Sequence, residues 1–103
     1  MVKRRLIWSK NSIKERNEIF DYWNNRNKTD SYSKKLNLKI YSKIDLLKTF
    51  SLTGVKIEDE EARILHFENY SLVYKIIKNI IYILAFWDNR QNPSKLLKIL
   101  KLK

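Results

Sequence analysis

Cysteine is absent from this chain of 103 residues, and glycine, proline, histidine and methionine occur once each. Without thiols there is neither a disulfide framework nor a thiolate metal site, a composition consistent with a reducing cytoplasm. A single imidazole, His66, cannot assemble a zinc site by itself, so no metal and no other cofactor is expected. Long apolar runs are missing too. No stretch approaches the ~20 residues needed to span a bilayer. The basic start, Met1 to Trp8, holds only the apolar run Leu6-Ile7-Trp8 before Ser9, too short for a secretory signal. The expected location is the cytoplasm, with no membrane partner. Acid is scarce: 11 Asp and Glu stand against 22 Lys and Arg, for a net charge of +11, and four of the acids sit together as Glu58-Asp59-Glu60-Glu61. The rest of the surface is therefore strongly basic, which attracts phosphate backbones, acidic protein segments or anionic lipid. Sixteen of the basic residues are lysine, and the abundance of Asn, Ile and Tyr beside them fits AT-rich codons as a blander source of the same charge.

What is present suits one compact domain, 1–103, with 44% hydrophobic residues and a modest core. Arg4 to Trp8 predicts a short first strand. Ser12 followed by Glu15 fits a capping box, and Ile13, Phe20 and Trp23 recur near helical spacing, so a helix is expected from Ser12 to about Asn25, broken by the polar run Asn24 to Lys28. In a second helix, capped among Thr29, Asp30 and Ser31, the residues Tyr32, Leu36, Ile40, Ile44 and Leu47 form one apolar stripe opposite Lys34, Lys35, Lys39 and Lys43. Gly54 falls where a helix must pass to a strand. Three apolar runs then follow, Ala62 to Phe67, Tyr70 to Ile77 and Ile80 to Trp87, separated by Glu68-Asn69 and Lys78-Asn79. Asparagine tolerates the positive φ of tight turns, so two successive hairpins are expected. Period-two alternation sets Leu72, Tyr74 and Ile76 against Ser71, Val73 and Lys75, and in the last strand sets Tyr82, Leu84 and Phe86 against Ile81, Ile83, Ala85 and Trp87. Asn92-Pro93 opens a short final helix carrying Leu96, Leu97 and Leu100. The fold class is α+β: a short strand and a helical hairpin packed on an antiparallel meander, with a short C-terminal helix.

The last strand ends in Trp87-Asp88-Asn89-Arg90-Gln91, where apolar residues give way to hydrogen-bonding groups. Arg90 and Arg63 are candidates to grip phosphate through the guanidinium fork. Arg90 can instead pair locally with Asp88, and Arg63 with the acidic loop. His66 is a candidate general base, since an unperturbed imidazole changes charge near neutrality; the plain alternative is a strand-end histidine making one structural hydrogen bond. Trp87 is a candidate for stacking on a base, or core; Trp8 and Trp23 read as core, with Trp23 closing the helical hairpin. Lys75, Asn89 and Gln91 complete the candidate target or nucleic-acid surface.

This order of elements resembles the RelE/ParE superfamily of bacterial type II toxins. Tyr70-Ser71-Leu72-Val73-Tyr74-Lys75-Ile76 is similar to that superfamily's third strand, and Ile81 to Arg90 to its last strand and following arginine. The ending Phe86 to Pro93 resembles a ParE-like subgroup. The resemblance implies a toxin of the plasmid-stabilisation kind neutralised by a cognate antitoxin, acting on DNA gyrase if ParE-like, or cutting messenger RNA on the ribosome if RelE-like. The nuclease needs a base at the ribose 2′-OH, cations at the phosphate and an acid at the leaving oxygen. From that set Arg90, with His66 and Arg63, is the remainder: Ser71 stands where an arginine is expected, paired lysines are not evident around Ile64 to Phe67, and no tyrosine follows Tyr82. The ParE-like reading is preferred on that ground, and a non-toxic basic nucleic-acid-binding module is the third possibility. The antitoxin is expected to bring an acidic, partly disordered tail into a groove between hairpin and sheet, by helix docking or strand addition.

Overall fold

The computed structural model describes residues 4–57 and 61–90. Strand β1 (Arg5–Trp8) leads into helix α1 (Lys10–Asn27) and helix α2 (Ser31–Thr49); β2 (Val55–Lys56), β3 (Ala62–Phe67), β4 (Tyr70–Ile77) and β5 (Ile80–Asp88) follow. The five strands form one sheet in the order β1-β5-β4-β3-β2. The three long strands are the expected meander, and β1 joins it in parallel beside β5, pairing Arg5 with Ile80 through Trp8 with Ile83. The two-residue β2 was not foreseen; too short to show a period, it forms only because β3 offers an edge at Arg63 and Ile64. The expected final helix and the loop residues Glu58 to Glu60 lie outside the described residues.

Helix α1 begins earlier than its capping box suggested. Ser9, with φ −68° and ψ 157°, is the N-cap, and its Oγ accepts the Ser12 N–H at 3.0 Å. Ser12 is instead fully buried, its Oγ 2.8 Å from the Ser9 carbonyl and 3.1 Å from that of Ile83. The polar run Asn24 to Asn27 continues the helix rather than breaking it, and the chain turns at Lys28 with φ 56°. The α2 stripe is as expected: Leu36, Ile40, Ile44 and Leu47 are buried against the sheet, with Tyr32 half-buried at its start. The hairpin turns also differ from expectation. Positive φ falls on Glu68 and Lys78, not on the asparagines, whose carbonyls instead accept the N–H groups of Asn89 and Arg5.

The face assignment of β5 needs a larger correction. Val73 pairs with Ala85 but Tyr74 pairs with Ile83, so Leu84 is passed over and the strand bulges there. One extra residue reverses the alternation. Phe86 therefore joins Ile81 and Ile83 in the core under the helices, while Ala85 and Trp87 cluster with Ala62 and Val73 on the opposite face. Both faces of the central strand β4 are buried: Tyr70, Leu72 and Tyr74 on one, Ser71 and Val73 on the other.

Gly54 earns its place by close approach. A Cβ there would lie 2.6 Å from the Tyr74 hydroxyl and 3.0 Å from the Ile64 carbonyl. That hydroxyl accepts the Gly54 N–H at 2.9 Å and donates to the Ser51 carbonyl at 2.7 Å, so it cannot retreat without losing both bonds. Gly54→Ala is expected to destabilise the domain by about 1–3 kcal/mol, read as a lower urea midpoint with an unchanged slope.

Candidate functional site

Polar side chains gather at the end of the sheet where β4 begins and β5 finishes, in two groups divided by the sheet. On the helix side the fully buried Tyr70 hydroxyl accepts the Trp23 indole N–H at 3.1 Å and lies 3.0 Å from the Tyr32 hydroxyl. Burial pushes the Tyr70 phenol well above its ordinary range, so it stays neutral. Trp23 packs 4.8 Å from Tyr32, which closes the helical hairpin as expected. The Arg90 guanidinium lies 5.2 Å from the Trp23 ring centroid, within cation–π range.

Arg90 is held by Asp88. Its Nε donates to Oδ1 at 2.9 Å, its Nη2 to Oδ2 at 2.7 Å, and its backbone N–H to Oδ1 at 3.0 Å. Desolvation alone would raise the Asp88 carboxyl, but the Arg90 hydrogen bonds and charge outweigh it and hold the group below the usual carboxylate range. Those Asp88 hydrogen bonds raise Arg90 in turn. One bidentate edge of the guanidinium, Nε with Nη2, is thus already occupied.

On the far side of the sheet, His66 and Ser71 are cross-strand partners. Ser71, fully buried, donates to the Asn89 carbonyl oxygen Oδ1 at 2.6 Å and faces His66 Nδ1 at 2.6 Å. With the serine proton spent on Asn89, the serine oxygen accepts from Nδ1–H, which leaves Nε2 of the exposed His66 as the nitrogen with a free lone pair. Sequence reasoning named His66 and Asn89 but missed Ser71, whose signal was a hydroxyl inside a run of apolar residues.

The remaining candidates are dispersed. Arg63, paired across the strands with Tyr74, turns to the helix side and donates to the Gly54 carbonyl at 2.8 Å, an anchor for the β2 connection; its alternative pairing with the acidic loop falls on residues 58–60, outside the described residues. Arg63 and His66 are therefore on opposite faces of β3, and Arg90 belongs to the Trp23 group. Trp87 is 6% exposed and packs with Val73 and Ala85, which makes it core rather than a free stacking platform. Lys75 is partly buried on the same face as Ser71, opposite Ala62 and Tyr82. Gln91 lies outside the described residues. Among the described residues no three His, Asp or Glu side chains converge as metal ligands, and no helix is long and apolar enough to cross a membrane.

Because the folded Asp88 carboxyl gives up its proton at lower pH than the unfolded one, its contribution is complete above the unfolded value of about 4 and lost as pH falls through the lower folded value. Asp88→Asn is expected to flatten the acid limb of stability against pH, measured by urea unfolding. For His66, nitrogen NMR of the neutral ring is expected to show the proton on Nδ1. In Ser71→Ala that preference should fade; an unchanged tautomer would remove Ser71 as its cause.

A family model described as the ParE toxin of the type II toxin–antitoxin system parDE matches residues 6–93. Among solved structures, the chain is similar to one described as the chromosomal ParDE toxin–antitoxin system from P. aeruginosa, with a TM-score of 0.70 and 18% identity over 84% of this chain and 96% of that one. At that identity the likeness establishes the shared fold. No curated protein gives a significant match.

Proposed function

Since the chain belongs to the ParE toxin family of type II toxin–antitoxin systems, we propose that it arrests growth by binding an essential protein target, DNA gyrase, and is neutralised by a cognate antitoxin in the cytoplasm. The observation that carries this reading is the separation of Arg63, His66 and Arg90. Cleavage of RNA by its own 2′-OH needs a base and phosphate-binding cations around one atom group. Here two cations are engaged on the helix side of the sheet while the imidazole lies on the other. A binding surface needs no such convergence. The exposed Asn89 and partly exposed Lys75 are the target-facing candidates, on the face of the sheet where Trp87 is buried.

One feature favours the ribosome-dependent nuclease as second reading: His66, exposed and held through Nδ1, presents Nε2 outward as a base would. Induction of the chain in a bacterial host separates the two. Growth arrest with translated messages intact, accompanied by inhibition of gyrase supercoiling by purified protein, is the expected outcome. New translation-dependent 5′ ends, abolished by His66→Ala, would replace it with the nuclease. Harmless expression at high level would leave a basic nucleic-acid-binding module.

A further inference from the structure

Lys35, Lys39 and Lys43 follow one another at every fourth position of α2, so they form a single row on a rigid rod, each step rising about 6 Å. The row runs down the side of α2 that faces the β3–β4 turn, where Lys39 reaches Glu68. Lys35 and Lys39 are exposed, and Lys43 is partly exposed. On the helix side of β3, Arg63 is held by the Leu52 and Gly54 carbonyls at 3.4 and 2.8 Å, and among the described residues by no carboxylate.

Carboxylates are kept off this row. Glu68 is the one described acid that meets it, and that ion pair is exposed on both sides, 53% and 44%, where such a pair contributes little and a phosphate can replace it. Lys35 and Lys43 make no ion pair among the described residues. Lys34, one residue off the row, is by contrast tied to Asp30 at 3.3 Å. Asp45, the one acid within α2, stands two residues beyond Lys43 and so projects from a different side of the helix. Codon drift toward lysine scatters ammonium groups over exposed positions; it does not by itself set three of them in line with the acids held away.

We infer that this row is a contact surface for the phosphate backbone of duplex DNA, bound without reading base sequence. A strand of the duplex presents a regular series of single charges, and the helix offers a regular series of ammonium groups whose backbone is already ordered. Lysine supplies a point charge without the planar fork, and no Arg, Asn or Gln stands in the row to read a base edge. Single strands are held largely by stacked rings, and none lies between these lysines: Tyr41, two residues from both Lys39 and Lys43, projects elsewhere. None of His66, Asn89 and Arg90 belongs to the row, so the surface is independent of the target the chain inhibits. Where that target is gyrase, the contact holds the toxin on the DNA its target works on.

The test is fluorescence anisotropy with the full chain and two labelled 20-base-pair DNA duplexes of unrelated sequence, titrated at several salt concentrations. Both duplexes are expected to bind with affinities within about twofold, falling steeply as salt rises. Lys35→Gln combined with Lys43→Gln is expected to reduce the slope of log K against log salt by about two and to weaken binding about tenfold or more near 0.1 M salt. Lys10→Gln combined with Lys14→Gln removes the same charge from exposed positions of α1, and should reduce the slope by less than about one and binding by less than about threefold. Amide shifts in nitrogen–proton NMR are expected to centre on residues 35–43. Equal losses in the two variants, sequence-dependent affinity, shifts centred elsewhere, tighter binding of a polyglutamate of the same length, or no binding would each overturn the inference.

Discussion

The start of α1 clasps β5 at the point where that strand changes phase, and the rest of the architecture follows from the clasp. The Ser9 N–H donates to the Ile83 carbonyl at 3.0 Å, Ser9 Oγ approaches the Leu84 carbonyl at 3.3 Å, and the buried Ser12 hydroxyl meets Ile83 again. Three residues further along both elements, Glu15 accepts the Phe86 N–H. A bulge leaves backbone groups without ladder partners, and buried groups of that kind cost about 1–3 kcal/mol each when unmet. Here the first turns of α1 meet them. The helix therefore fixes the register of the strand, and the strand fixes the seat of the helix.

From this phase change come two hydrophobic clusters where simple alternation gives one. Before the bulge, Ile81 and Ile83 face the helices; after it Phe86 does so too, stacked 5.4 Å from Tyr70. Ala85 and Trp87 are turned to the other side. The same event ends the pairing of β1, since a straight partner cannot follow a strand that has kinked away. The cleft between α1 and the end of β5 is what remains beyond that point. Trp23, at its base, joins it to the Tyr70–Tyr32 pair and to Arg90, so the outer wall of the cleft and the end of the strand are one connected unit.

The electrostatics divide along the same line. Lysines on the outer side of α2 and at the strand ends supply the positive field that draws nucleic acid or acidic proteins from a distance. Two carboxylates beside the end of β5 are committed locally, Glu15 of α1 to the Phe86 N–H and Asp88 of β5 to Arg90. Long-range attraction and the local fixing of the strand end are therefore carried by different residues.

The sequence by itself determined the elements and their order. The α2 stripe from Tyr32 to Leu47 carries its period openly because it buries one face against a single partner layer, and the three apolar runs from Ala62 onward are marked off by the short polar turns between them. It also offered the Asp88–Arg90 pair, whose members are two residues apart, as the alternative to phosphate binding by Arg90. It did not determine the parallel placement of β1, the two-residue β2, or the face on which Phe86 and Trp87 lie. A run that is apolar on both sides has no visible phase, so a one-residue bulge at Leu84 leaves no trace in it. Nor did it bring Ser71 to His66 and Asn89, or part Arg63 from His66, because those relations depend on register between strands rather than spacing along one. Only the tertiary structure, through the α1 clasp on β5, decided which of the candidate residues meet.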